Sequence, residues 1–315
     1  MSVVLCPGQG AQQVGMGKDL AERFPAAREI FERIDASLGV ALSRLMWEGP
    51  ESELVLTQNA QPAILAHSAA VWAVVGGVVA AGLRAAAGHS LGEYSAYLVA
   101  EALTPEDAAR LVRRRGELMH EAGTRRPGAM AAVLGLATEE VELLCREVST
   151  GEEVAVAANL NAPDQTVVSG DPAAVERAAA ACKARGAKRV VPLKVSGAFH
   201  SPLMAPAAQG LEQALAQTRF GEPRVPVIAN ATATPVTTSH EARRLLAEQL
   251  TAPVRWVASM ERAAALAPGA RFLEIGPGNV LSGLVKRIVP GAATLTLGTA
   301  DAVERFLAGE SGGRA

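Results

Sequence analysis

Aromatic side chains are rare in this chain, 3% of 315 residues, so its core must be built mainly of Ala, Val and Leu, within a hydrophobic share of 49%. Cysteine is scarcer still. Cys6, Cys145 and Cys182 are odd in number and show no C-x-x-C spacing, which argues against a disulfide or zinc framework and reads as buried thiols of a reducing compartment. A charge excess is also lacking: the formal net charge is −2, which gives no reason to expect nucleic acid or an anionic membrane as partner. The most apolar run, Ala69 to Leu83, carries a Gly76-Gly77 pair and falls short of the roughly 18 residues of a membrane span, so it reads as a buried core helix. Met1 to Pro7 has neither a basic n-region nor a useful h-region, which is not a signal-peptide pattern, and a cytoplasmic location is expected. There are no repeats. The length suits about two domains, or one large domain with an insertion.

Against that background one stretch stands out, Gly88-His89-Ser90-Leu91-Gly92-Glu93-Tyr94-Ser95-Ala96. It contains G-x-S-x-G, the form of a nucleophile elbow, in which small residues permit a very tight strand-to-helix turn. An apolar run (Leu83, Ala85 to Ala87) precedes it and an alanine-rich amphipathic run follows to about Ala102, which is the context the motif requires. In such a turn Ser90 Oγ stands clear of the backbone. The Leu91 N–H points into the first turn of a helix, whose positive dipole end favours a developing oxyanion.

Val3 to Cys6 reads as a central buried strand, followed by the loop Gly8-Gln9-Gly10-Ala11-Gln12-Gln13. G-x-G-x-x-G fails there because Gln13 occupies the third small position. A P-loop fails because Gly15 is followed by Met16 and Lys18 by Asp19. The loop is then either a plain turn or a place where backbone N–H groups, that of Gln9 included, meet a ligand. Helical patterns cover about Lys18 to Leu38 and Glu51 to Ala81, the latter interrupted at Asn59 to Pro62. Thr104-Pro105-Glu106-Asp107 starts another helix, which runs to about Ala122 and ends before Gly123. Its apolar stripe includes Ala108, Leu111 and Leu118, and Arg115 falls on the same face while Arg113 and Arg114 look solvated. An inward guanidinium needs an anion, which could be a ligand, a structural carboxylate, or nothing if the stem reaches water.

Residues 125–196 follow the order β-α-β-β-α-β: strands at Ala129 to Leu134, Val154 to Ala158, Gln165 to Ser169 and Lys188 to Val195, with helices at Thr138 to Val148 and from Asp171-Pro172 to near Gly186. That is the ferredoxin-like order of an inserted small domain. Immediately after it, His200 sits in Ser196-Gly197-Ala198-Phe199-His200-Ser201. His67 and His120 lie in helical patterns, His240 in a polar stretch, and His89 beside Ser90 where side chains diverge, so His200 is the best candidate for a base. The remainder returns to α/β: a strand at Val225 to Asn230, helices at Glu241 to Leu250 and Val254 to Leu266, and a strand at Arg271 to Ile275. Then follow Gly276-Pro277-Gly278 and a short helix to Ile288.

The set Pro7-Gly8-Gln9-Gly10-Ala11-Gln12, Gly88-His89-Ser90-Leu91-Gly92-Glu93-Tyr94, Arg115-Gly116-Glu117-Leu118-Met119, Gly197-Ala198-Phe199-His200, Gln249 to Trp256 and Gly276-Pro277-Gly278 resembles the malonyl-CoA:acyl carrier protein transacylases, relatives of polyketide-synthase acyltransferases. The resemblance runs from about residue 3 to about 290. It implies an α/β fold, an α/β-hydrolase-like domain from 1–124 and 197–308 with a ferredoxin-like domain at 125–196, while 309–315 read from the residues themselves as a flexible tail. It implies that Ser90 is acylated, that His200 is its base, and that the N–H groups of Gln9 and Leu91 form the oxyanion hole. Arg115 would bind the malonyl carboxylate, and the Gln249 backbone carbonyl would orient His200 in place of an acid. Phe199 matches the Ala-Phe-His form of malonyl-selective members, whereas those that take methylmalonyl tend to carry a smaller residue there.

The implied substrate is malonyl-CoA and the partner an acyl carrier protein with its phosphopantetheine, with no permanently bound cofactor, no metal, and a monomeric enzyme. Carrier proteins are acidic, so Lys183, Arg185, Lys188 and Arg189, or Lys286 and Arg287, are docking candidates, although charge at helix C-termini explains them equally well. Rival readings are a free-standing polyketide acyltransferase, a serine esterase or thioesterase, and a non-catalytic scaffold. The esterase leaves Arg115 and Phe199 without a task, and the scaffold predicts decay of residues that are all present.

Overall fold

The apolar segment Ser2–Cys6 forms strand β1 and is buried at every position, as a strand covered on both faces must be. The computed structural model describes Met1–Gly312. The remaining strands are β2 (Leu83–Gly88), β3 (Ala129–Leu134), β4 (Ala155–Ala162), β5 (Gln165–Gly170), β6 (Arg189–Pro192), β7 (Val227–Ile228), β8 (Pro235–Val236), β9 (Arg271–Ile275) and β10 (Thr294–Leu297). They make a mixed α/β architecture with two sheets. The larger has the order β10-β9-β1-β2-β7-β8 and is parallel except for the β7–β8 pair. The smaller, β4-β5-β3-β6, is antiparallel throughout. With β1 and β2 at its centre, the large sheet carries the glycine loop and the serine turn side by side at its C-terminal edge, where open α/β sheets bind ligands.

The small sheet and the helices Thr138–Val148 and Pro172–Ala184 share a separate apolar cluster that includes Val133, Leu144, Val168, Val175 and two of the three free, buried cysteines. β4 is longer than the sequence pattern indicates, and its extra residues have a purpose. Leu160 N–H donates to the Val254 carbonyl at 2.9 Å, and Val254 N–H to that of Ala158 at 2.8 Å, which ties the small sheet to the segment just after Gln249. β8 and β10, the two edge strands of the large sheet, were not indicated by the sequence pattern.

Several helix boundaries differ from expectation, each for a physical reason. The pattern from Lys18 to Leu38 divides into Lys18–Arg23 and Pro25–Leu38, with Pro25 at the first helical position. The break expected at Asn59 to Pro62 lies earlier, and Thr57–Val79 is one helix with Pro62 inside it. Pro62 has no N–H to give the Gln58 carbonyl, and Arg113 Nη1 supplies that donor at 3.1 Å while also bonding Asn59 Oδ1 at 2.6 Å. Arg113 is therefore half-buried and engaged, not solvated. The last helix, Ala300–Gly312, is capped by Asp19, whose carboxylate accepts the Ala300 N–H at 2.7 Å. It occupies most of the expected flexible tail, and 313–315 fall outside the described residues.

The helix Pro105–Arg125 starts as predicted, with Thr104 Oγ1 accepting the Asp107 N–H at 3.1 Å, but it continues through Gly123. That glycine is a packing residue and not a stop. A Cβ there would lie 2.0 Å from the Ser196 carbonyl oxygen, on the chain that leads into His200. Gly116 does the same on another face, where a Cβ would lie 2.6 Å from the Gln58 backbone. Helix propensity alone makes Gly123→Ala stabilising by about 1 kcal/mol, whereas overpacking costs about 1–3 kcal/mol. The clash is with backbone, so the expected outcome in urea denaturation is a lower midpoint, and a raised midpoint would show that the close approach is absent.

Candidate active site

Three glycines bring two loops into contact. A Cβ on Gly88 would meet the Gly92 carbonyl group at 1.9 Å, one on Gly92 the Cys6 oxygen at 2.1 Å, and one on Gly8 the His89 oxygen at 2.6 Å. Between them Ser90 adopts a left-handed backbone with φ of 53°. That conformation costs on the order of 1–3 kcal/mol in a residue with a Cβ and persists only when its surroundings enforce it. Here Ser90 N–H donates to Asn230 Oδ1 at 2.7 Å, and its carbonyl accepts from Gln249 Nε2 at 3.0 Å. Asn230 is itself fixed, donating from Nδ2 to the Gly88 carbonyl at 2.8 Å.

His200, also left-handed at φ 56°, places Nε2 2.8 Å from Ser90 Oγ and Nδ1 2.9 Å from the Gln249 carbonyl oxygen. A carbonyl only accepts, so Nδ1 carries the proton and Nε2 is the lone-pair acceptor for the serine hydroxyl. No carboxylate bonds the ring. Burial, reinforced by the nearby Arg115 charge, pushes the imidazole down to about 3, so it is a neutral base at physiological pH.

Arg115 is 1% exposed and pairs with no carboxylate among the described residues. Nη1 donates to Gln61 Oε1 at 2.7 Å, and Nη2 to Gln249 Oε1 at 2.9 Å and to Ser90 Oγ at 3.0 Å, while Nε has no partner among the described residues. The structural ion pair left open by the sequence is thus absent, and a cation held by neutral amides lies beside the serine. The nearest counter-charge is one amide away. Glu93 Oε2 accepts from Gln249 Nε2 at 2.7 Å and from Asn230 N–H at 3.0 Å, and burial raises this carboxyl to about 7.

The N–H groups of Gln9 and Leu91 donate to no protein atom among the described residues. The Gln9 side chain is anchored by Thr57 Oγ1 at 2.9 Å, and Thr57 in turn accepts from Gln61 Nε2 at 2.9 Å, so the glycine loop and the arginine share one network. A cleft of about 270 Å³ opens beside the serine turn, lined by Gln9, His89, Asn161, Gln165 and Leu284 among others. Its rim is closed by His89 Nε2 at 2.7 Å from Asn161 Oδ1 of β4. Phe199 is buried next to His200.

The structure brings Ser90, His200, Arg115 and Gln249 into direct contact and leaves the rival histidines outside it. His67 is buried within its helix, His120 is half-buried and His240 is exposed. Sequence reasoning missed Gln61, Glu93, Asn161 and Asn230. Thr57 and Gln61 share one helix face by their spacing of four, but Gln58 and Asn59 beside them leave the pair without a distinguishing mark in the sequence. An acid in the first turn of the apolar helix Gly92–Val99 was a usable signal.

The family model described as acyl transferase domain matches residues 3–297. The malonyl CoA-acyl carrier protein transacylase of Bacillus subtilis (strain 168) is 44% identical over 95% of this chain and 94% of its own length. Among solved structures, the acyl-carrier-protein-S-malonyltransferase of Bartonella henselae superposes with a TM-score of 0.92 at 42% identity, covering 99% of this chain and 100% of that one. A malonyl-transacylase in complex with a type II polyketide-synthase acyl carrier protein gives 0.92 at 40% identity, covering 98% and 99%.

A neutral His200 makes a kinetic prediction. A base whose folded value is depressed stays competent as pH falls through the usual histidine range and is lost only near its own value. The single-turnover rate of Ser90 acylation by acetyl-CoA should therefore show no protonation limb between about pH 5 and 7. In Arg115→Ala, which removes a repelling charge, the limb should move upward. A wild-type limb near an ordinary histidine value would contradict the buried geometry.

Proposed function

The chain belongs to the acyl transferase domain family, among its malonyl-CoA:acyl carrier protein transacylases, and from that premise we propose how its residues divide the reaction. The enzyme transfers a malonyl group from malonyl-CoA to the phosphopantetheine thiol of an acyl carrier protein, for fatty-acid synthesis. It keeps no permanent cofactor; both thiols arrive on substrates.

In the first half-reaction Ser90 Oγ attacks the thioester carbonyl while His200 Nε2 takes its proton. The free N–H groups of Gln9 and Leu91 receive the oxyanion, and removing one donor of this kind typically costs on the order of 10²–10³ in rate. Collapse of the intermediate breaks the carbon–sulfur bond, and His200 returns the proton to the CoA sulfur. The carrier thiol then gives its proton to His200, attacks the malonyl ester, and Ser90 leaves with that proton. Both halves pass through one oxyanion site, and a covalent ester divides the exchange into two similar steps.

The observation that carries the acyl assignment is Arg115: a buried guanidinium with, among the described residues, no partner at Nε and no contacting carboxylate, and with Nη2 aimed at Ser90 Oγ. A planar fork of donors in that position matches a carboxylate carried by the acyl group. An acetyl group would leave it unanswered, and an esterase has no use for it. Phe199, beside the base, limits bulk at the acyl α-carbon, a preference worth about 1–3 kcal/mol per methyl.

The finer architecture belongs to the same proposal: an α/β-hydrolase-like domain of 1–124 and 197–308 holding the reactive groups, and a ferredoxin-like domain at 125–196 closing the cleft through Asn161. We assign the enzyme to the cytoplasm as a monomer. Of the basic docking candidates, Arg185 is paired with Glu140 and Arg287 with Asp164. Lys183, Lys188, Arg189 and Lys286 are exposed with no carboxylate partner among the described residues, which favours them for an acidic carrier. A polyketide carrier is a second acceptor, supported by the similar transacylase seen with such a partner.

Losing two charge-assisted hydrogen bonds, each about 1.5–3 kcal/mol, should lower malonyl kcat/KM in Arg115→Ala by on the order of 10²-fold or more and raise acetyl transfer relative to malonyl. Intact-mass detection of the acyl-enzyme after incubation with malonyl-CoA or acetyl-CoA, with Ser90→Ala as blank, checks this. Undiminished malonyl loading of Arg115→Ala would remove Arg115 from the substrate site.

A further inference from the structure

One buried carboxylate has no part in the steps above. Glu93 is 0% exposed and lies in the first turn of the helix that follows Ser90. Its Oε2 takes two hydrogen bonds, from Asn230 N–H and from Gln249 Nε2, and its Oε1 takes none among the described residues. The consequence falls on Gln249. A side-chain amide has an accepting end and a donating end, and rotation by half a turn exchanges them. Gln249 must present oxygen to Arg115 Nη2; the reversed amide would set N–H against N–H. What selects the observed orientation is the other end. Nε2 meets two groups that accept there, the Ser90 carbonyl at 3.0 Å and Glu93 Oε2 at 2.7 Å. Oε2 can accept whether the carboxyl is ionised or protonated at Oε1, so this hold does not depend on the charge of Glu93.

We infer that Glu93 is a positioning residue for acyl-group selection: by fixing the Gln249 amide it aims Arg115 at the place beside Ser90 where the acyl carboxylate is held. This rests on the reading of Arg115 as the carboxylate's partner. Gln249 serves two masters by separate atoms. Its main-chain carbonyl orients His200, while its side chain orients Arg115 and also holds the Ser90 carbonyl, so loss of the Glu93 hold falls most heavily on selection and leaves the His200 contact with the main-chain carbonyl in place.

The test compares malonyl-CoA and acetyl-CoA as donors to phosphopantetheine-bearing acyl carrier protein in wild type, Glu93→Met, Glu93→Gln and Arg115→Ala. Methionine fills the volume without an oxygen acceptor. Its malonyl KM should rise, and the malonyl-to-acetyl ratio of kcat/KM should fall about tenfold or more, the loss for acetyl being the smaller. Glu93→Gln, whose amide oxygen can take both hydrogen bonds, should keep the ratio within about threefold and leave its pH profile unmoved. An unchanged ratio in Glu93→Met, equal losses for both donors, or a Glu93→Gln ratio as low as that of Met would each overturn the inference. If Glu93→Met does not fold, Glu93→Asp replaces it. Its carboxylate is withdrawn by one methylene, so the ratio should fall, and an unchanged ratio overturns the inference. Should Arg115→Ala retain malonyl selectivity, the reading of Arg115 fails first; if it loses selectivity and Glu93→Met does not, only Glu93 is at fault.

Discussion

A guanidinium shut away from water with no carboxylate touching it is the constraint around which this site is arranged. Burying a charge is unfavourable unless hydrogen bonds replace its hydration, and Arg115 obtains them from two amides and a hydroxyl. The surrounding features follow from that need. Gly116 lets two helices approach until Gln61 reaches the guanidinium, and the same positive charge helps keep His200 unprotonated. Nε alone of its donor atoms has no partner among the described residues.

The second constraint is steric. β1, its glycine loop and the serine turn are packed backbone to backbone, at separations only glycine allows. Strain at Ser90 and His200 is held in place by Asn230, Gln249 and the chain passing Gly123. The hydroxyl, the imidazole and the N–H groups left without partners among the described residues are thus held in fixed positions, the kind of preorganisation by which a site favours a transition state over bulk solvent.

Much of this was legible in the chain. The turn around Ser90 is written in local spacing, and the helical register placed Arg115 inward because periodicity alone decides which face is buried. The role of the Gln249 carbonyl came from resemblance, since a main-chain atom leaves no mark on residue type. What stayed hidden was long-range. Asn230 and Glu93 act through hydrogen bonds across 137 to 156 residues, and no local pattern encodes such a pairing. Pro62 and Gly123 misled for the complementary reason. Each is a helix breaker by propensity, and each is tolerated because a tertiary partner, Arg113 or the Ser196 carbonyl, uses the irregularity.

The link between Leu160 and Val254 has a bearing on the life of the chain before it is whole. Ser90 is separated from its base by 110 residues and from its backbone anchor in Gln249 by 159. Closing loops of that length is entropically slow, and contacts across them form late. A nascent chain leaving the ribosome would display the serine turn long before residues 249–254 emerge, with neither its proton acceptor nor its anchor in place. The serine turn therefore gains its histidine and its anchor only once the segments beyond the small sheet, joined to it by the Leu160–Val254 pair, are in place.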